Sequence, residues 1–135
     1  MEELQYCKVR NVKSPCRAHL EDAGIDFFVP ENITESELRE KCNVTGDQID
    51  LIVENGNVKT IILQPGQSVL IPSGIKVNVP NGYALIYTNK SGIAAKKHLL
   101  VGSNVVDIGY SGECHINVHN VGTKTAEINA GDKLV

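Results

Sequence analysis

Short runs of alternating apolar and polar positions, cut by Gly, Pro and Asn, fill most of the chain. "LQYCKVRNV" alternates as a first strand, and "AGIDFFVPEN" follows as a second, ended by Pro30. The pattern then changes. In "ITESELREKCN", Thr34 with Glu37 three residues on has the spacing of a capping box, and Leu38 with Cys42 makes one weak apolar stripe. One short surface helix is predicted there. "IDLIVENGNVKTIIL" holds two β-branched runs around Asn55-Gly56, and a two-residue type I′ turn needs positive φ at both central positions, so a hairpin is predicted. Further strands are expected in "SVLIPSGIKVNVP", "GYALIYT", "HLLVGSNVVDI", "ECHINVHNV" and "TAEINAGDKLV", separated by Gly-, Pro- and Asn-bearing turns. Many short strands with little helix point to an all-β chain, a distorted antiparallel barrel or jelly roll with one short inserted helix and a hairpin.

Length and composition narrow this. A chain of 135 residues suits one domain, 1–135, and the absence of Trp leaves an aliphatic core of Val, Ile and Leu. A formal charge of −3 argues against nucleic acid or an acidic membrane as partner, because phosphate-backbone binding needs clustered positive charge. A single anionic small molecule stays possible. Cys7, Cys16, Cys42 and Cys114 form no C-x-x-C pair and "MEELQYCKVRNV" holds no apolar signal region. Free thiols in a reducing, cytoplasmic setting are therefore expected. No run approaches the roughly 20 apolar residues of a membrane span.

Two stretches carry candidate chemistry. In "TNKSGIAAKK" a strand ends at Thr88 and Ile93 to Lys97 can start a helix, so free N–H groups and the positive dipole end fall at Ser91 and Gly92. An anion could approach closely at Gly92, with the Ser91 hydroxyl and the Lys90 charge beside it. In "NVVDIGYSGE", Asp107 follows two valines at a strand end, where a pocket could hold its carboxylate away from bulk solvent as a general base. Tyr110, in the following turn, would offer a flat ring to that pocket. Taken singly, each stretch also reads as an ordinary solvated turn. His115, Asn117 and His119 alternate with Ile116 and Val118, which makes them a polar sheet face; i and i+4 on a strand are too far apart for easy joint zinc ligation. Cys114 reads as a small core hydrophobe.

Taken together, "AGIDFF", "NKSGIAAKK", "VVDIGYSGE" and "AGDKLV" stand in the order, and at about the separations, of the first four motifs of the trimeric deoxyuridine triphosphatases, the dUTPases. The chain resembles that family along most of its length, with residues 31 to 62 looking like an insertion and a possible surface for a protein partner. The resemblance implies hydrolysis of dUTP to dUMP and pyrophosphate, with water attacking the α-phosphate, Mg²⁺ spanning the triphosphate, and a homotrimer whose sites are built by neighbouring subunits. It assigns Asp107 to orienting and deprotonating the water, Lys90, Ser91 and Gly92 to the phosphates, and Tyr110 to packing on the deoxyribose. Uracil would be read by backbone groups of Gly102, Ser103, Asn104, Val105 and Val106 and by the strand near His115. Asp26 matches the first-motif carboxylate that supports the metal through water.

The chain departs from the family pattern at several points. Lys90 and Lys133 stand where the family usually has Arg, and a lysine is a point charge without a bidentate fork. Asn104 stands where Gly is usual, and the sequence ends at Val135, before the glycine-rich fifth motif. Two alternatives stay open on this resemblance: a dUTPase-like nucleotide-binding regulatory protein that acts through a partner, and a dCTP deaminase on the same fold.

Overall fold

In the computed structural model, which describes residues 3–42, 49–102 and 105–135, the Asn55-Gly56 hairpin forms as its sequence dictates. Both residues have positive φ, 52° and 81°, and they join β2 (Asp50–Glu54) to β3 (Asn57–Leu63). β3 also pairs with β10 (Ala126–Asn129), giving a three-stranded sheet ordered β10-β3-β2. A second three-stranded sheet runs β4 (Ser68–Pro72), β9 (His115–Asn120), β7 (Leu99–Val101). Two-stranded pairs join β1 (Gln5–Lys8) to β5 (Ile75–Asn78) and β6 (Leu85–Ile86) to β8 (Val105–Val106). Every pairing is antiparallel. Of the two forms the sequence left open, the arrangement is the jelly-roll-like one: among the described residues the sheets stay separate and do not close into a barrel.

The core is aliphatic. Leu63, Val69, Ile71 and Ile116 are completely buried, and Ile61 and Ile75 nearly so. Removing each such side chain from water is worth about 1.5–3 kcal/mol. On β9 the alternation works as read: Ile116 and Val118 point inward, while His115, Asn117 and His119 are half-buried on the other face. Asn120 ends the inward series. Its amide is buried but fully paired, donating to the carbonyls of Leu63 (3.0 Å) and Lys124 (2.9 Å) and accepting from the Gly122 N–H (3.0 Å).

Three expectations change. Residues 25–30 form no regular strand; Phe27, Phe28 and Val29 are all buried, so the segment has no solvent face. Its backbone pairs with the last residues of the chain through isolated bridges, Phe27 donating to Val135 (3.1 Å) and Leu134 donating back to Phe27 (2.9 Å). "HLLVGSNVVDI" is two strands, since β7 pairs with β9 whereas β8 pairs with β6. In α1 (Glu35–Cys42) Thr34 Oγ1 accepts from the Glu37 N–H at 3.3 Å, but the Glu37 carboxylate turns away to Arg10, so half of the capping box forms. Leu38 seats this helix in the core. A second short helix, α2 (Ser91–Lys97), follows Lys90.

Cys7 is exposed, Cys16 half-buried and Cys114 buried, all free thiols. Among the described residues no helix is long and apolar enough to cross a membrane.

Candidate active site

An open concavity of about 250 Å³ lies where β8, the turn after it, and the start of β9 meet β4. Val105, Val106, Asp107, Tyr110 and His115 all line it. β8 is held by β6 in the register Leu85↔Val106 and Ile86↔Val105. Val106 is buried and Val105 exposed, the alternation that two successive strand residues must show. Asp107 comes directly after β8 and its carbonyl accepts from the Tyr110 N–H at 3.0 Å, closing a turn. Its side chain is exposed, not sheltered as the sequence led us to expect, because the concavity is open along one side in the single chain. Tyr110 folds back over Gly112: a Cβ on Gly112 would lie 2.7 Å from the Tyr110 hydroxyl. That hydroxyl donates to the Glu113 carbonyl at 2.7 Å, and His115 Nδ1 lies 2.9 Å from the same oxygen.

A second group is built on charge. Asp26, buried on the irregular pairing near Cys16, receives Lys90 Nζ at 2.5 Å and lies 3.6 Å from Lys133 Nζ. The Lys90 hydrogen bond, against the opposing effect of burial and with help from Lys133, lowers the Asp26 pKa below the ordinary carboxylate range. Lys90 also begins α2, its carbonyl accepting from the Ala94 N–H at 2.9 Å. Ser91 and Gly92 are exposed in the first turn, and a Cβ on Gly92 would meet nothing within 4 Å, so a ligand could reach the backbone there.

The predicted residues thus fall into separate places. Lys90, Ser91 and Gly92 are not among the described residues that line the concavity. Gly102 belongs to the β9 polar face: it donates to the Asn117 carbonyl at 2.9 Å, and a Cβ there would collide with Asn117 Oδ1 and His119 Nε2. Ser103 and Asn104 lie outside the described residues.

Residues 50–135, which hold the whole concavity, match the dUTPase family model. The chain belongs to the dUTPase family. A deoxyuridine 5'-triphosphate nucleotidohydrolase of Chlamydia muridarum is 36% identical over 76 residues, 55% of this chain and 52% of that one. The matched stretch therefore spans about half the length of that relative. A nucleotidohydrolase of the same name from Mycolicibacterium vanbaalenii is 27% identical over 128 residues, 93% of this chain and 65% of its own. Among solved structures, a mutant dUTPase from phage phi11 of S. aureus, described with a structural Mg(II) ion, matches with a TM-score of 0.72 and 25% identity over 98% of this chain and 86% of that one.

In this dUTPase-family chain the pocket also holds residues that sequence reasoning passed over: Leu70, Tyr87 and Cys114. In "GYALIYT" and "GECHIN" Tyr87 and Cys114 read as interior positions of strands, and nothing in either segment says that they meet. Tyr87 is buried, its ring edge-on to Phe27 at 6.1 Å between centroids. Burial above all raises its phenol pKa, and burial also raises that of the Cys114 thiol beside it. The two groups perturb each other's ionisation, yet among the described residues the buried Tyr87 oxygen has no hydrogen-bond partner. The neighbouring thiol is a weak hydrogen-bonding group that compensates little for the water the hydroxyl has lost.

Proposed function

We propose that this chain hydrolyses dUTP to dUMP and pyrophosphate. The observation that carries this is the convergence of Asp107, Tyr110 and the β8 edge on one concavity. A nucleotide in it would meet Val105 and Val106 backbone along its base and the Tyr110 ring against its deoxyribose. Asp107, exposed at the rim, would take a proton from a water as that water attacks the α-phosphorus, with pyrophosphate leaving. Lys90, Ser91 and Gly92 would hold phosphates. Their separation from the Asp107 pocket within one chain supports sites completed by a neighbouring subunit, and hence a homotrimer.

A bound Mg²⁺ fits this scheme. Mg²⁺ is typically carried by one or two carboxylates together with substrate phosphates, keeping several waters. Among the described residues no three His, Cys, Asp or Glu side chains cluster into a protein cage, and Asp26 is the buried carboxylate beside the phosphate-holding Lys90. It would support the ion through water while shared with its two lysines. When bound, Mg²⁺ would neutralise phosphate charge and polarise the reacting group.

The test is pyrophosphate release from dUTP by wild type and by Asp107→Asn. The amide keeps the shape but cannot accept the proton, so the rate should fall by at least about 100-fold while dUTP affinity stays within a few-fold. Retained activity would remove Asp107 as the base. Binding without hydrolysis by wild type would favour a regulatory protein, and ammonia from dCTP a deaminase.

A further inference from the structure

Tyr110 and His115, which face the nucleotide pocket, are both tied to one atom, the carbonyl oxygen of Glu113, at 2.7 and 2.9 Å. Glu113 itself does not line the concavity. Its carboxylate points the opposite way, where Oε2 accepts from Arg10 Nε at 2.7 Å and from the Gly74 N–H at 2.8 Å, and Oε1 accepts from Arg10 Nη2 at 3.1 Å. This is a two-point guanidinium–carboxylate fork, the geometry that fixes orientation as well as distance. The other edge of Arg10 is taken by Glu37 of α1, with Nη1 to Oε2 at 2.9 Å and Nη2 to Oε1.

The surroundings leave little freedom. The side chains of Arg10 and Glu113 are each 13% exposed. Gly74 has φ of 75°, and a Cβ there would lie 2.8 Å from Val12 Cγ1 and 3.1 Å from Arg10 Cβ, so Arg10 packs directly on the backbone whose N–H Glu113 caps. The main chain on the far side of Glu113 is also anchored, Cys114 donating to Ile75 (2.8 Å) and accepting from the Ser73 N–H (2.9 Å). The turn before it ends at the Glu113–Cys114 peptide, held on the backbone side by Cys114 N–H to Ile75 and on the side-chain side by the Arg10 fork.

We propose that Arg10 and Glu113 are positioning residues for sugar discrimination: their ion pair, with the Cys114–Ile75 hydrogen bond on the same peptide unit, sets the Glu113 carbonyl, which sets the Tyr110 ring. This rests on the proposed dUTP reading for the ligand, but the mechanical link stands on the hydrogen bonds alone. A guanidinium held between two carboxylates also explains why the pair is built from Arg: a lysine could not address both with a planar fork.

The experiment uses Arg10→Lys and Glu113→Gln, which keep charge or shape, alone and combined with Tyr110→Ala. In each single variant the preference for dUTP over UTP should fall by about 3- to 10-fold, the scale of one weakened charged hydrogen bond. In the Tyr110→Ala background the same substitutions should leave the ratio unmoved, because the residue they act through is gone. Hydrogen exchange gives a readout that needs no nucleotide: amides of residues 107–114 should exchange at least about 10-fold faster in both single variants, with β4 and β9 unchanged. Unchanged exchange in that turn overturns the proposal, whatever the activity, as does an equal loss of discrimination with and without Tyr110. Faster exchange in a protein whose wild type neither binds nor hydrolyses dUTP would leave the link standing and refute the dUTP reading instead.

Discussion

Replacing Tyr87 with Phe should stabilise this protein, against the usual direction for a core substitution. Among the described residues the Tyr87 hydroxyl has no hydrogen-bond partner beyond its weak contact with the Cys114 thiol, so folding strips its water and returns little. Leaving a hydroxyl unpaired in the interior costs roughly 1–3 kcal/mol. Phenylalanine removes that cost and keeps the edge-on contact with Phe27. Against this stands the loss of one oxygen's packing and of a weak contact with the Cys114 thiol, so a net gain of about 0.5–2 kcal/mol is expected. For a domain of this length that raises Tm by roughly 2 to 8 °C. The assay is thermal and urea unfolding at equal chain concentration, so that any assembly contributes equally to both proteins, and the urea m value should not change. A loss of about 1 kcal/mol or more would mean that the hydroxyl is paired. Cys114→Ala, made in parallel, would then identify the thiol as its partner if it cost a similar amount.

The acid limb of stability should involve Asp26. Its folded pKa lies below the unfolded one, chiefly through the Lys90 hydrogen bond, so its contribution is complete above the unfolded carboxylate value of about 4 and is lost as pH falls through the lower folded value. Asp26→Asn should therefore flatten the fall in stability below about pH 4; an unchanged slope in acid unfolding would refute this. Asn120→Ala strands the Leu63 and Lys124 carbonyls and the Gly122 N–H, and should cost about 2–4 kcal/mol in urea unfolding. A cost under about 1 kcal/mol would show that water reaches these groups.

The local devices were legible because each is decided by neighbours in the chain. Asn55-Gly56 makes its turn through the φ its residues tolerate, β9 sorts its side chains by alternation, and Ser91 opens a helix after Lys90. The turn that carries Asp107 and Tyr110 was legible for the same reason, and Gly112 in it is the space over which the Tyr110 ring folds. Segments buried on both sides were misread. Phe27, Phe28 and Val29 carry the apolar signature of a strand, but their backbone partners lie over 100 residues away at the end of the chain and meet them only in bridges.

By itself, then, the order of residues determined the all-β class, the Asn55-Gly56 hairpin, and which side chains could do chemistry, since propensity, alternation and turn geometry act over a few residues. Only the tertiary structure decided what those side chains face. It set Lys90 against Asp26 across 64 positions and Arg10 against Glu113 across 103, and it brought Tyr87 and Cys114 to one pocket wall. Charge pairing and burial depend on distance in space. The chain closes those distances only when its sheets pack, and no local pattern records which partners will then be within reach.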